Sequence, residues 1–396
     1  MKLRTFSRND VAGRNVLVRV DFNVPLAPEG GVADDTRIRA HLPLIRELVE
    51  AGAKTCLCSH LGRPKGSVDV KYTLRPVAEE LQRLLGRPVR FVGDCVGEPV
   101  ENAVAAASGG DVLVLENLRF YAEEEKNDAA FAEKLAAPFD VFVMDAFSAA
   151  HRAHASTRGV TEFLPSFAGP LLIREIAALS AVRDHPKRPF VLILGGAKVS
   201  DKIGVIENML DRTDAIVIGG GMAFTFFKAQ GLEIGKSLCE EGKLAFASEM
   251  LALAKEKGVR ILLPEDVVVA AAIAPDAVAQ TVAADAVPGD LMGLDIGVRT
   301  VENIRVLLDT ADTVLWNGPM GVFETAPFAE GTRAVADMLA KITAQGAFTV
   351  VGGGDTAAAV TKFGRQDEVS HVSTGGGASL EFFEGRMLPG VEPYIL

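Results

Sequence analysis

VVGGGDT, residues 350–356, ends an apolar run in a glycine turn and is one of four such stretches in the second half of the chain. The others are LILGGAK (192–198), IVIGGGM (216–222) and VSTGGGA (372–378). Each pattern predicts a buried strand, a turn without Cβ atoms, and then the start of a helix. Because this arrangement points backbone N–H groups at an anion, it is typical of phosphate binding. The second half is therefore predicted to bind a nucleotide.

The first half carries a different set of turns, which follow strand-like runs and contain arginines. They are RVDFNVP (19–25), SHLGRP (59–64), ENLRF (116–120) and DAFSAAHRAH (145–154). A planar guanidinium is the preferred partner of phosphate and carboxylate groups. Several arginines at one sheet edge predict a site for a small, multiply charged anion. A chain in which one half binds a small anion and the other half binds a nucleotide is expected to be a phosphotransferase.

The order of predicted elements indicates the architecture, because strand-like runs alternate with helix-length amphipathic segments almost throughout. We predict an α/β protein with two doubly wound parallel-sheet (Rossmann-like) domains, joined by an interdomain helix and hinge. Prolines mark the connection, and residues 171–183 between them predict one stiff helix. The predicted boundaries are 1–168 for the N-terminal domain, 169–185 for the interdomain helix or linker, and 186–387 for the nucleotide-binding domain.

Eleven strands are predicted from short apolar runs. They are 16–20, 54–58, 89–92, 112–115 and 141–144 in the first half, and 190–194, 215–218, 259–262, 313–316, 348–351 and 369–373 in the second. Nearly all of the polar motifs follow the carboxyl end of one of these strands. That edge is where open α/β sheets bind ligands.

Composition limits the function classes. The net charge of −11 argues against general nucleic-acid binding, which needs a basic footprint. Four cysteines without CxxC spacing favour a reducing compartment over a disulfide framework. The N-terminal MKLRTFSRND has no apolar signal core, and no apolar stretch is long and continuous enough to cross a bilayer. We predict a cytoplasmic protein with small-molecule substrates and neither nucleic-acid nor membrane partners.

Charged residues next to the glycine turns predict the chemistry of the second half. Lys198 and Lys202 are spaced to share one face of a helix start, which favours a nearby anion. Asp355 offers a hard oxygen for Mg²⁺ and Thr356 a hydroxyl, although helix capping by Asp355 explains the same pattern. In the first half, Arg19, Asp21 and Asn23 fall on one side of a strand.

Two other functions remain open on the residues alone. GGGDTA (352–357) formally fits the GxGxxA pattern of a nicotinamide oxidoreductase, but no acidic residue follows at the place needed for a ribose hydroxyl. GLEIGKS (231–237) has too few residues between its glycines for a Walker loop. A non-catalytic anion-binding protein with two lobes is the second alternative, and the lysines and Asp355 count against it.

Taken in order, these motifs resemble the phosphoglycerate kinase family from residue 16 to the C-terminus. The shared segments are RVDFNVP, SHLGRP, ENLRF, DAF with HRAH, LGGAKVSDKI, GGGMAFTF, NGPMGVFE, GGGDTAA and HVSTGGGASLE. The resemblance implies reversible, direct in-line phosphoryl transfer between 1,3-bisphosphoglycerate and ADP, with Mg²⁺ and hinge closure, in a glycolytic monomer. It also implies that residues 388–396 pack back onto the N-terminal domain.

By the same resemblance, the N-terminal domain holds the phosphoglycerate, with Arg37 beside its carboxylate at the reacting end. The implied ligand set is Asp21, Phe22, Asn23, Arg37, His60, Leu61, Gly62, Arg63, Arg119 and Arg152. The family more often has Asn and Gly where this chain has Met144 and Ser148, so a Cβ is added in the loop that leads to Arg152.

The nucleotide site is implied in the same way, with Arg37, Lys198 and Lys202 as the catalytic residues. Lys198 is expected to follow the transferring phosphoryl group, Lys202 to bind nucleotide phosphates and Asp355 to reach Mg²⁺. Glycines at a helix N-terminus are expected near the transferring phosphate, namely Gly375, Gly376 and Gly377. The remaining nucleotide contacts are Gly195, Gly219, Gly220, Gly293, Leu294, Asn317, Pro319, Glu324, Gly353, Gly354 and Thr356.

Overall fold

The computed structural model describes all residues from Met1 to Leu396, and the chain divides into two compact units. Unit 1 consists of Met1–Ala177 together with Met387–Leu396, and unit 2 of Ala178–Arg386. The division falls within one helix, Pro170–Asp184. No helix is both long enough and apolar enough to cross a membrane.

Unit 1 is built on a six-stranded parallel sheet. Its strands are β1 (Asn15–Arg19), β2 (Lys54–Cys58), β3 (Val89–Val92), β4 (Val112–Leu115), β5 (Val141–Met144) and β6 (Ser166–Ala168). They lie in the order β3-β4-β2-β1-β5-β6. Strands such as VLVL and VFVM are buried along their whole length, as expected where helices cover both faces of a parallel sheet. The sequence did not predict β6, because three residues beside a proline are too short a signal.

The helices of unit 1 are α1 (Arg8–Val11), α2 (Thr36–Glu50), α3 (Arg75–Leu85), α4 (Glu98–Ala105), α5 (Ala122–Glu125) and α6 (Ala129–Ala136). Helix α7 (Pro170–Asp184) begins in this unit. The C-terminal segment belongs here too, since Leu3 and Ile395 form an antiparallel bridge. In addition, Gly390 N–H donates to the Ala150 carbonyl at 2.8 Å.

Unit 2 contains a second parallel six-stranded sheet and a smaller antiparallel one. Its strands are β7 (Phe190–Leu194), β8 (Ala215–Ile218), β9 (Arg260–Leu262), β10 (Asp266–Ala270), β11 (Gln280–Ala283), β12 (Met292–Ile296), β13 (Thr313–Asn317), β14 (Phe348–Gly352) and β15 (His371–Val372). The parallel order is β15-β14-β13-β7-β8-β9 and the antiparallel order is β11-β10-β12. The sequence did not predict the antiparallel sheet. Its edge strand β11 has two exposed and two half-buried residues and lacks an apolar period.

The helices of unit 2 are α8 (Ile203–Met209), α9 (Ala223–Ala229), α10 (Leu244–Lys257), α11 (Val298–Leu308), α12 (Glu330–Ala344), α13 (Gly354–Lys362) and α14 (Gly377–Phe383). The prediction that Lys198 and Lys202 share one helical face is wrong, because α8 begins only at Ile203. Residues 199–202 form a turn instead, in which Lys202 N–H donates to the Val199 carbonyl at 2.8 Å. Lys198 therefore lies on a loop.

Candidate active site

The four arginine-bearing turns of unit 1 meet at one edge of its sheet. They follow β4, β2, β1 and β5, which are consecutive neighbours in the sheet. Because all four strands are parallel, their carboxyl ends point the same way. The order of strands along the chain also reverses between β1 and β5, and such a switch point is the usual ligand crevice of a doubly wound sheet.

Hydrogen bonds through Gly62 tie three of these turns together. Asn23 Oδ1 accepts the Gly62 N–H at 2.9 Å, and Arg119 Nη1 donates to the Gly62 carbonyl at 2.9 Å. Gly62 has φ of +61°, and a Cβ there would lie 2.4 Å from the Tyr72 ring. A side chain here would be strained and would displace the Tyr72 ring, so the position favours glycine. The Gly62 backbone joins the loops that carry Asn23 and Arg119.

Arg37 reaches the same edge from the first turn of α2. Its Nη1 lies 2.7 Å from Asp21 Oδ2, and its side chain is 42% exposed, so the guanidinium is anchored but still available to a ligand. Ser148 Oγ donates to the same carboxylate oxygen at 2.6 Å. Ser148 lies in a 3-10 turn, Phe147–Ala149, without positive φ, so this backbone accepts its Cβ.

Two cationic side chains, Arg119 and Arg152, lie near His60 at the crevice. His60 is only 8% exposed, and burial lowers its pKa well below the usual range, with Arg19 and Arg119 adding to the effect. Arg152 Nε donates to His151 Nε2 at 3.1 Å. Arg63 is exposed to solvent on the loop after β2. A multiply charged anion would find cationic side chains from three loops here.

Two predicted ligands, Phe22 and Leu61, do not present their side chains to the crevice. Both side chains are buried in the core of unit 1. Their backbone N–H groups are also engaged, Phe22 with Ser59 Oγ at 2.9 Å and Leu61 with Asn117 Oδ1 at 3.2 Å. Both side chains therefore pack in the core, as apolar residues at the end of a buried strand usually do.

His41 and Asp145 form a buried pair next to this edge. Asp145 opens the DAFSAAHRAH motif, but the sequence assigned neither residue to the site. His41 Nε2 accepts the Asp21 N–H at 2.9 Å, so its proton is on Nδ1, which donates to Asp145 Oδ2 at 2.7 Å. Asp145 Oδ1 accepts the Leu171 N–H at 2.8 Å, in the first turn of α7. Side chains 104 residues apart in sequence give no local signal of such a pair.

We expect Asp145→Ala to destabilise unit 1 by about 2–4 kcal/mol, because it leaves two buried donors, His41 Nδ1–H and Leu171 N–H, without acceptors. Denaturant unfolding measures the loss in the free energy of unfolding, and hydrogen exchange at the β1 and β5 amides shows that the loss lies in unit 1. The matched control is Asp140→Ala, which removes an exposed carboxylate that accepts the Asn15 N–H at 2.9 Å. A loss no larger than the control's would contradict this role for Asp145.

Unit 2 holds a cavity of about 530 Å³ at the carboxyl edge of its parallel sheet. Glycines make up much of its wall, and charged groups line it. The predicted residues found in the wall are Gly195, Lys198, Lys202, Asn317, Pro319, Gly353, Gly354, Asp355, Thr356, Gly376 and Gly377. A Cβ on Gly195 would lie 2.2 Å from the Pro319 carbonyl oxygen, so the close approach of these two loops requires glycine.

The polar groups of this cavity are held by one another. Lys202 is 8% exposed and its Nζ donates to Asn317 Oδ1. Burial lowers the pKa of Lys202, and the negative charges of Asp201 and Asp355 oppose that shift. Asn317 Nδ2 is buried without a hydrogen-bond partner. A buried donor of this kind is the group that an anionic ligand oxygen would satisfy.

Of the other predicted nucleotide contacts, some lie at or next to a second pocket and the rest lie outside both pockets. Gly220 and Leu294 line a second, smaller pocket with Phe224 and Met320. Gly219 and Gly293 lie under the same two side chains, since a Cβ on them would be 2.6 Å from Met320 Sδ and 1.8 Å from the Phe224 ring, respectively. Glu324 is exposed and lines neither pocket, and Gly375 is also outside both walls.

The donor set of the larger cavity fits a nucleotide phosphate chain with Mg²⁺. Asp355 supplies a carboxylate in the first turn of α13, directly after the glycine turn. Carboxylate and phosphate oxygens are the ligands that Mg²⁺ prefers. Thr356 Oγ1 accepts the Gly318 N–H at 2.7 Å, so its hydroxyl fixes a neighbouring loop. Lys198, Lys202 and Asp355 beside the glycine turns match a polyanion with a divalent cation. The other charged residues of the wall are Asp201, Glu381, Glu384 and Arg386.

An arginine-rich crevice on one parallel sheet and a glycine-lined, lysine-bearing cavity on another are the features of an α/β phosphotransferase. The family model described as phosphoglycerate kinase matches residues 6–386. Phosphoglycerate kinase of Synechococcus elongatus is 58% identical over 390 residues, which cover 98% of this chain and 97% of the relative. That of Rippkaea orientalis is 56% identical over 384 residues, covering 96% of both. The chain belongs to the phosphoglycerate kinase family.

Solved structures agree with this assignment. The structure of phosphoglycerate kinase from Coxiella burnetii has a TM-score of 0.89 at 42% identity and covers 99% of this chain and 98% of that one. The enzyme from Pyrococcus horikoshii has a TM-score of 0.79 at 33% identity, with coverage of 97% and 96%. The predicted fold class, two parallel-sheet α/β domains, is confirmed.

Proposed function

We propose that this chain catalyses reversible phosphoryl transfer between 1,3-bisphosphoglycerate and ADP, giving 3-phosphoglycerate and ATP. The observation that carries the proposal is the cavity of unit 2, where Lys198, Lys202 and Asp355 line the wall together with seven glycines. Such a wall suits a nucleotide polyphosphate, and unit 1 supplies a separate crevice for an anionic acceptor. Family membership supports both assignments. It supports neither of the two alternatives, the nicotinamide oxidoreductase and the non-catalytic anion-binding protein.

The acceptor of unit 1 is held at both of its charged ends. We assign the phosphate end to His60, Arg63, Arg119 and Arg152, whose loops converge on the crevice. Arg37 is assigned to the carboxylate end, because Asp21 anchors its guanidinium while leaving it 42% exposed. Two charged ends at separate cation groups select an acceptor that carries both a phosphate and a carboxylate.

The chemistry asks for positioning and charge screening. A carboxylate acceptor is already ionised at neutral pH, so no general base is needed. In-line transfer instead requires cations around the oxygens of the transferring phosphoryl group. We assign Lys198, which is exposed on its loop, to follow that group. We assign Lys202, which donates to Asn317, to bind nucleotide phosphates. Mg²⁺, held by Asp355, would neutralise phosphate charge when bound.

The two ligands occupy different units, so a step that brings them together must precede transfer. We place the hinge within residues 171–183 of helix α7, as the sequence predicts. Closure also excludes water, which would otherwise accept the phosphoryl group. The proposal includes a cytoplasmic monomer that works in glycolysis and that has neither nucleic-acid nor membrane partners.

Turnover tests the proposal directly. Full-length protein is incubated with 3-phosphoglycerate and ATP, with and without Mg²⁺, and the acyl phosphate is trapped as its hydroxamate. We expect Mg²⁺-dependent product with 3-phosphoglycerate, and none with glycerate, which lacks the phosphate end. Binding of both ligands without any hydroxamate would leave an anion-binding protein. Binding of a nicotinamide dinucleotide in preference to ATP would favour the oxidoreductase.

Ser148 gives a finer prediction within the same site. Removing its hydroxyl in Ser148→Gly deletes one hydrogen bond to Asp21, the residue that anchors Arg37. A hydrogen bond of this kind contributes about 1 kcal/mol, so we expect kcat to fall about fivefold. Ser148→Ala is the matched control, because it keeps the Cβ and lacks only the hydroxyl. Its kcat should fall by the same factor. If Ser148→Gly retains wild-type kcat, the hydroxyl has no part in setting Arg37.

A further inference from the structure

A buried arginine lies directly behind His60. Arg19 ends β1 and is 1% exposed, so it does not itself face a ligand in the crevice. Its Nη2 lies 3.0 Å from His60 Nδ1, its Nε donates to Ser156 Oγ at 2.9 Å, and its Nη1 donates to the Val20 carbonyl at 2.5 Å. The guanidinium is therefore held in place by hydrogen bonds to three residues, the adjacent Val20 and the distant His60 and Ser156.

The hydrogen bonds continue from Ser156 to a carboxylate in the core. Glu124 and Ser156 are both fully buried. Glu124 accepts the Ser156 N–H at 2.9 Å and the Ser156 hydroxyl at 2.5 Å. Because the hydroxyl hydrogen goes to Glu124, the Ser156 oxygen is free to accept Arg19 Nε–H. Burial raises the pKa of Glu124, and the charge of Arg19 and the hydrogen bonds from Ser156 oppose that shift. Glu124 and Arg19 are thus coupled through one bridging residue.

This order of donors determines which nitrogen of His60 carries the proton. Arginine has only donors, so His60 Nδ1 must accept from Arg19 Nη2 and cannot itself be protonated. The hydrogen of the neutral ring is then on Nε2. No protein atom hydrogen-bonds to Nε2, and it is not among the fully buried unpaired atoms, so this N–H is open to a ligand.

We propose that Arg19, Ser156 and Glu124 are positioning residues that fix His60 in the Nε2–H tautomer. His60 then presents a neutral hydrogen-bond donor to the ligand in the crevice. The consequence for binding rests on the proposed function, in which that ligand is the phosphate end of the acceptor. A fixed neutral donor would make this contact independent of pH in the range where histidines usually titrate.

The surroundings of His60 agree with a neutral ring. The charged and titratable groups that face it are Arg19, Arg119, Arg152 and His154, and the three arginines are cationic. Burial and the same arginines lower the pKa of His154 to about 3, so its 3.8 Å approach to Glu124 is not an ion pair at neutral pH. A proton on His60 Nδ1 would face the Arg19 N–H directly, which excludes the imidazolium form without a rearrangement.

Nitrogen NMR of the histidine rings tests the proposal. The chain has six histidines, and His60→Asn assigns the His60 signals. In long-range proton–nitrogen spectra of the full-length protein, we expect an unprotonated Nδ1 and a protonated Nε2, both unchanged between about pH 5.5 and 8. A ring that titrates near its ordinary pKa, or a protonated Nδ1, would overturn the proposal.

Two substitutions separate the tautomer effect from general stability. Arg19→Met fills a similar space without a donor, so we expect a mixture of tautomers and a KM for 3-phosphoglycerate raised about tenfold, with KM for MgATP unchanged. Arg19→Lys keeps a donor and should retain the Nε2–H form. A spectrum of Arg19→Met identical to wild type would contradict the role of Arg19, and the wild-type spectrum decides the tautomer if Arg19→Met does not fold.

Addition of 3-phosphoglycerate distinguishes this inference from the proposed function. A fixed Nε2–H tautomer whose signal shifts on addition of 3-phosphoglycerate supports both. The same tautomer with no response to 3-phosphoglycerate would overturn His60 as a phosphate contact and leave its positioning by Arg19 intact. If the ring is instead protonated at Nδ1 and its signal shifts on addition of 3-phosphoglycerate, His60 remains a phosphate contact and its positioning by Arg19 is overturned.

Discussion

Arg37→Ala is expected to lower kcat by about 10³-fold, with little change in the KM for MgATP. Arg37 is the cation that we assign to the acceptor carboxylate, and Asp21 holds it at 2.7 Å. In this proposed role its charge would screen the repulsion between the carboxylate and the incoming phosphoryl group, which is greatest in the transition state. Steady-state kinetics with 3-phosphoglycerate and MgATP measures the effect.

Arg39→Ala is the matched control, because Arg39 lies two residues further along the same helix. Its side chain is 54% exposed and pairs with Asp35 at 2.7 Å, away from the crevice. Such surface pairs contribute little to stability, so kcat should stay near wild type. Equal losses in Arg37→Ala and Arg39→Ala would mean that the effect comes from α2 as a whole, and the assigned role of Arg37 would fail.

Lys198→Ala is expected to lower kcat by about 10²-fold and to change the KM for MgATP much less. Lys198 lines the cavity of unit 2 from a loop, with its side chain exposed. A residue that follows the transferring group binds it most strongly in the transition state, so its loss falls on kcat. The same kinetic assay, run over a range of MgATP concentrations, separates the two constants.

Lys255→Ala serves as the control for Lys198, since Lys255 is an exposed lysine near the end of α10 and is not in the wall of the cavity. Its replacement should leave both constants unchanged. A Lys198→Ala enzyme whose kcat falls no further than its KM for MgATP rises would contradict the transition-state role. In that case Lys198 would only bind the nucleotide.

The sequence predicts the parallel sheets well because their strands are short, β-branched and bounded by glycine or arginine turns. The runs before Gly195, Gly219 and Gly352 became strands β7, β8 and β14, as expected. Placing motifs at strand ends also predicted which loops would share an edge, since parallel strands end on the same side. Asn23, Gly62 and Arg119 do meet there.

Contacts between distant side chains could not be predicted from local patterns. Arg19 reads as one polar residue on a strand, and only the fold shows that it is buried against His60 and Ser156. Glu124 looks like part of an acidic surface run, yet it is fully buried. Motif membership also does not show which side chains pack inside, since Phe22 belongs to RVDFNVP and its side chain packs in the core.

The central claim is that the phosphoryl group passes in one step from a nucleotide on unit 2 to a carboxylate held by unit 1. The stereochemical course of transfer from ATP made chiral at its γ-phosphorus tests this claim most directly. A single in-line displacement predicts inversion at phosphorus in the acyl phosphate product. Retention would require two displacements through a phosphorylated side chain and would contradict the account.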